Sequence, residues 1–151
     1  MQKYGIRYVF TRTVGVNHIN LQAAADFGMT VARVPSYSPN AIAELSLTFA
    51  MMLLRNTAYT TIRTSFKDFR VDEQMFSREI RNCTVGIIGT GRIGLTEAVL
   101  FKGLGAKVIG YDIHQTEAAK KVLTFHSLEE LLAKSDIVSI HVPHIPGETI
   151  K

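Results

Sequence analysis

Thr84-Val85-Gly86-Ile87-Ile88-Gly89-Thr90-Gly91-Arg92-Ile93-Gly94 is the stretch on which the reading of this chain turns. Val85 to Ile88 is an apolar, β-branched run that predicts a buried strand. It leads straight into Gly89-x-Gly91-x-x-Gly94, and a helical pattern follows from Leu95 to Leu104. A second apolar run, Lys107-Val108-Ile109-Gly110-Tyr111, ends at Asp112. A lone glycine motif is a weak signal. Strand, glycine turn, helix, strand and acid in this order form the context of a dinucleotide-binding fingerprint.

Each position has a physical task. Gly89 permits the tight turn out of the strand, Gly91 lets a pyrophosphate approach the backbone, and Gly94 lets the helix lie close to the sheet. The helix start then offers N–H groups and the positive end of its dipole to phosphate. Asp112 stands where a carboxylate can accept from both ribose hydroxyls, and the same charge repels a 2′-phosphate. Ile113 and His114 follow it, with no Arg to hold such a phosphate, so NAD is expected over NADP. Methyltransferases that use S-adenosylmethionine also carry glycine turns. They commonly place an acid just upstream of the first glycine, where this chain is apolar, Ile88 included.

Composition narrows the class. With 151 residues, 46% of them hydrophobic, the chain can bury a core. Its charge of +4 is modest and its Lys and Arg are scattered, so nucleic acid is not implied. The one cysteine, Cys83, reads as a small buried hydrophobe, which fits a reducing, cytoplasmic setting. Met1-Gln2-Lys3-Tyr4-Gly5 lacks the apolar core of a signal peptide, and Leu45 to Leu54 is too short to span a bilayer. No zinc spacing occurs, and no metal site is expected.

The remaining elements follow from periodicity and punctuation. Ile6 to Phe10 and Thr30 to Val34 read as strands around a helix capped by Asn20 and stopped by Gly28. Ser38 and Pro39 open a long helix expected to run to about Phe66. Its first half is apolar nearly all round, so it is expected to be covered on more than one side: it reads either as a buried core helix or as one also packed at a subunit or domain interface. Lys67 to Arg81 reads as a loop, Thr116 to Lys121 as a short helix, and Val122 to Phe125 as a strand. Ser127-Leu128-Glu129-Glu130 is a capping box opening a helix to about Lys134, and Asp136 to His141 is a strand ended by Val142-Pro143. A doubly wound sheet in the order 3-2-1-4-5-6 would continue beyond that strand, which would otherwise be a bare apolar edge. The expectation is therefore a chain cut at both ends.

Five stretches carry a family resemblance: Arg12-Thr13-Val14-Gly15-Val16-Asn17-His18-Ile19, Tyr37-Ser38-Pro39-Asn40-Ala41-Ile42-Ala43-Glu44, Gly89 to Gly94, Phe101-Lys102-Gly103-Leu104-Gly105-Ala106-Lys107-Val108, and Asp136-Ile137-Val138-Ser139-Ile140-His141-Val142-Pro143. Together they resemble the D-isomer-specific 2-hydroxyacid dehydrogenases, with the D-lactate dehydrogenases nearest in pattern. The resemblance implies an α/β fold: a truncated Rossmann-type doubly wound parallel sheet plus the tail of a flavodoxin-like substrate domain. Residues 1–36 would end the substrate domain, and 37–151 would form an NAD-binding domain incomplete at its C-terminal side.

By that resemblance the whole enzyme passes hydride between NADH and a 2-oxo acid, in a cleft between its two domains. Val14 and Gly15 would offer N–H groups to the substrate carboxylate, and Tyr37 would line its pocket. Arg92 and Ile93 would meet the pyrophosphate in the cofactor-binding turn of Gly89, Thr90, Gly91 and Gly94, with Asp112 on the ribose, Val142 and Pro143 walling the adenine side and His141 near the nucleotide. A homodimer through helix 39–66 is implied. The family's catalytic Arg, Glu and His fall beyond the last residue, so no catalytic residue is assigned. Glu148 stands where relatives often carry Asn. The histidines His18, His114, His126, His141 and His144 read as structural or surface groups, and no carboxylate partner for His141 is evident from the sequence. The rival reading is a non-catalytic NAD-binding or dimerisation module.

Overall fold

The computed structural model describes residues 2–143. His144 and Glu148, read from the sequence above, lie outside them. Tertiary contacts divide the described chain at Ser38/Pro39 into two compact units.

The first unit is a strand–helix–strand motif. After a 3-10 turn at Gln2–Tyr4 come β1 (Tyr8–Thr11), α1 (Leu21–Asp26) and β2 (Thr30–Arg33). The two strands pair in parallel, Tyr8 opposite Thr30 and Thr11 opposite Arg33. The first strand thus starts and ends later than the predicted Ile6–Phe10. The Asn20 side chain accepts from the Ala23 amide at 2.9 Å, satisfying a helix-start donor as expected. Gly28 takes a positive φ of 63° just past the helix, a conformation glycine adopts without penalty.

The second unit begins with α2 (Pro39–Leu54) and α3 (Thr57–Ser65). The predicted single helix 39–66 is therefore broken. Asn56 sits in the left-handed region, φ 48°, and its side-chain amide donates to the Gln74 carbonyl at 2.6 Å. A contact eighteen positions away selects the break, and Asn tolerates that backbone better than other side chains. The segment 67–81, expected as loop, carries two 3-10 turns, Glu73–Met75 and Ile80–Asn82. It is held to α3 by Arg63, which pairs with Asp68 at 2.7 Å and with Asp72.

Next come β3 (Thr84–Ile88), α4 (Arg92–Gly103), β4 (Lys107–Tyr111), α5 (Glu117–Lys120), β5 (Thr124–Phe125), α6 (Leu128–Lys134) and β6 (Ile137–Ile140). The helix α4 starts at Arg92 rather than Leu95, and the predicted strand 122–125 shrinks to its last two residues. The strands are all parallel in the order β5-β4-β3-β6, which is the 3-2-1-4 start of a doubly wound sheet.

Helices cover both faces. Val85 and Ile87 of β3 pack with Ala98 and Phe101 of α4, and Leu47 and Ala50 of α2 lie against the same cluster. On the other face α6 lies so close that a Cβ on Gly86 would run into Leu131. That contact requires glycine in the centre of a strand, where it otherwise weakens pairing. Val138 and Ile140 of β6 remain exposed, the apolar edge foreseen from the sequence.

Candidate functional site: the glycine turn at the strand ends

The turn is built by two short strands stopping together. Gly89 leaves β3 with φ 87°, and its amide donates to the Tyr111 carbonyl at 2.9 Å. The chain reverses over Thr90 and enters α4, whose N-cap is Gly91. Gly91 has no side chain to cap the helix, so the first-turn amides stay available to a ligand. A Cβ built on Gly91 would meet nothing within 4 Å, so the space over this backbone is open to an approaching group. A Cβ on Gly94 would run into the Gly89 carbonyl. Gly89 therefore makes the turn, Gly94 lets the helix pack close, and Gly91 leaves open space above its backbone. Arg92 is exposed at the helix start and Ile93 is half-buried behind it.

Asp112 closes the far side. Its Oδ2 accepts from the Thr90 amide at 2.6 Å and from the Thr90 hydroxyl at 3.0 Å, and its Oδ1 accepts from the His114 amide at 2.9 Å. Burial pushes this carboxyl up, but those three hydrogen bonds outweigh it and hold the group below the ordinary Asp range. The side chain is thus ionised at neutral pH and anchored to the turn. Ile113, next to it, is exposed.

The exit of β6 forms the other wall. The His141 amide donates to the Ile88 carbonyl at 2.7 Å. A Cβ on Gly89 would stand 2.8 Å from the His141 carbonyl carbon and 2.8 Å from Val142 Cγ1. Val142 and Pro143 are exposed beyond it. Sequence reasoning saw no carboxylate beside His141, and the structure corrects this. His141 Nε2 lies 2.5 Å from Glu97 Oε2, on α4. The signal was available: Gly94, Ala98 and Phe101 mark the buried stripe of that helix, and Glu97 falls on it. Of the other histidines described, His18 and His114 are exposed and His126 faces Glu130 at 3.3 Å.

In the first unit, Arg12, Thr13, Val34 and Tyr37 line a recess of about 550 Å3. Val14 and Gly15 belong to the same loop without lining it: the Arg33 guanidinium donates to the Val14 carbonyl at 2.5 Å, and the Thr13 hydroxyl to the Gly15 carbonyl at 2.6 Å. Arg12, which the sequence reading quoted only as part of a motif, adds a positive charge to that recess. Among the described residues no group of His, Cys, Asp and Glu could hold a metal ion, and no helix is long and apolar enough to cross a membrane.

Known proteins resemble this chain over most of its length. Residues 47–149 match the family model described as D-isomer specific 2-hydroxyacid dehydrogenase, NAD binding domain. A D-2-hydroxyacid dehydrogenase (NAD(+)) of Clostridioides difficile is 44% identical over 144 residues, 95% of this chain and 43% of that protein. A D-lactate dehydrogenase of Treponema pallidum is 43% identical over 138 residues, covering 91% of this chain and 42% of the relative. The crystal structure of the Aquifex aeolicus D-lactate dehydrogenase, complexed with NAD and lactic acid, superposes with a TM-score of 0.82 at 35% identity, over 92% of this chain and 42% of that one. The chain thus spans less than half the length of these relatives.

Proposed function

The chain belongs to the D-isomer-specific 2-hydroxyacid dehydrogenases and carries their NAD-binding domain, and from that premise we propose that Gly89 to Gly94, Asp112 and the His141–Pro143 segment hold NAD for hydride transfer to a 2-oxo acid and, in reverse, from the 2-hydroxy acid. The observation that carries this reading is the tie between Asp112 and Thr90, which fixes a carboxylate beside an open, uncapped helix start. The residues fit the cofactor: the open space over Gly91 admits a pyrophosphate, and the α4 amides with the Arg92 guanidinium supply donors for it. NAD, when bound, supplies the hydride acceptor or donor. The chain's own part is to bind the adenosine diphosphate half, orient it and keep a negative charge where a 2′-phosphate would stand.

The substrate is proposed to be a small 2-oxo or 2-hydroxy acid, with pyruvate and D-lactate the leading pair. Relatives bearing the D-lactate dehydrogenase name support this, as does the Arg12–Tyr37 recess, in which a carboxylate would find a guanidinium. Val14 and Gly15 are proposed to assist through backbone N–H groups.

Self-association is proposed through α2. Ala43, Leu47 and Ala50 face the core, whereas Ile42, Leu45, Phe49 and Leu53 form an exposed apolar stripe on the same helix. A second copy would cover it. A cytoplasmic location is proposed from the free, buried Cys83.

Calorimetric titration with NADH and NADPH tests the cofactor assignment. NADH is expected to bind at least about tenfold more tightly, one repelled charge being worth on the order of 1.4 kcal/mol or more. Equal affinities would remove Asp112 from the site.

A further inference from the structure

Glu97 is the one charged side chain among the described residues with no exposure to solvent. A buried carboxylate is expensive unless it is paired and hydrogen-bonded. Here it is paired by a group that belongs to the wall of the glycine turn. Glu97 Oε2 lies 2.5 Å from His141 Nε2, Ser139 Oγ lies 3.0 Å from the same nitrogen, and Ser46 Oγ lies 3.0 Å from Ser139 Oγ. Three elements, α4, β6 and α2, therefore meet in one polar cluster inside an apolar core. Glu97 Oε1 is buried without a hydrogen-bond partner.

The protonation pattern follows from these contacts. Burial raises the Glu97 carboxyl, but the hydrogen bond to His141, with the Ser46 and Ser139 hydroxyls close by, outweighs it and leaves the group below its ordinary value, hence ionised. An ionised oxygen 2.5 Å from a ring nitrogen requires a proton between them, so His141 Nε2 carries it and donates. The His141 side chain is 9% exposed and turned inward. It offers little to a ligand directly. Its main chain, by contrast, holds the Ile88 carbonyl through N–H and lies in contact distance of Gly89.

We propose that Glu97 is a positioning residue for the dinucleotide: through the His141 imidazole it fixes the His141–Pro143 segment against Gly89, and this sets cofactor affinity. The inference rests on the cofactor reading above. Stability alone gives no reason for the pair, because apolar residues of similar volume fill such a site as well or better. Placement does give one, since an ångström of error in a binding wall is felt as a large loss of affinity.

The test is calorimetric titration of NADH into the 151-residue chain, its Glu97→Gln variant and the paired variant Glu97→Leu/His141→Leu. Leu at both positions leaves no orphaned charge, so this variant is expected to fold and to keep its thermal midpoint. Its affinity for NADH is expected to fall about tenfold or more, as when the support behind a ligand-holding group is lost. Glu97→Gln keeps an acceptor for Nε2–H and is expected to fall between the two. Proton NMR supplies a readout that packing alone does not move: a slowly exchanging imidazole N–H, absent in His141→Gln and displaced in Glu97→Gln. A folded double-Leu variant that binds NADH within twofold of the parent overturns the inference. Failure of the parent chain to bind NADH overturns the cofactor reading instead. No such imidazole resonance in the parent would also refute the pair.

Discussion

A carboxylate has about four acceptor sites, and Asp112 has three hydrogen bonds on it before any ligand arrives. A simultaneous grip on both ribose hydroxyls, the expectation from the sequence, would require the Thr90 hydroxyl to let go. Asp112→Asn removes the charge and keeps the shape. It is expected to weaken NADH by about tenfold and to narrow the gap between NADH and NADPH, both measurable by titration. The pH response has a definite sign. The native carboxyl sits below the ordinary value near 3.9, so its contribution is complete above that pH and fades as pH falls through the lower native value. Cofactor affinity attributable to Asp112 is therefore expected to be flat from about pH 5 upward. A midpoint near neutrality in a pH series would contradict this. At Gly94, a methyl group would enter the space of the Gly89 carbonyl. Gly94→Ala is expected to cost about 1–3 kcal/mol, as overpacking does, readable as a lower urea midpoint. Gly91→Ala meets open space and is expected to leave stability within about 1 kcal/mol while weakening NADH.

At the level of elements, what could be read from the sequence was what is decided locally. The strand, turn and helix from Thr84 to Gly103 show because glycine spacing and apolar periodicity are written into adjacent residues. The α6 capping box is likewise local, Ser127 Oγ accepting from the Glu130 amide at 3.2 Å while Glu130 reaches back to the Ser127 amide at 3.3 Å. Ser127→Ala is expected to cost about 1 kcal/mol in a denaturation series. The break between α2 and α3 was hidden, because Arg55 and Asn56 have ordinary helical propensity and the Gln74 carbonyl that selects the turn is remote in sequence. The Glu97–His141 pair was hidden for the same reason, its members being 44 positions apart. The exposed stripe on α2 is testable at this scale too. Leu45→Asp with Phe49→Asp leaves the core face untouched and is expected to abolish self-association in sedimentation without changing the circular dichroism of the helices. A monomeric parent chain would contradict the α2 interface.

For the whole molecule, sheet order is the feature that matters. Parallel strands β5-β4-β3-β6 bring the carboxyl ends of β3, β4 and β6 to one edge, where open α/β sheets bind ligands. Gly89, Asp112 and His141 each stand just past such an end, which is why three residues far apart in sequence surround one turn. That convergence is the physical content of the assignment, and saturable NADH binding is its direct readout. NADH fluorescence titrated with the folded 151-residue chain is expected to rise to a plateau and to shift to higher concentration in Asp112→Asn. A well-folded chain that shows no saturation up to millimolar concentrations, or an Asp112→Asn variant indistinguishable from the parent, would contradict the account.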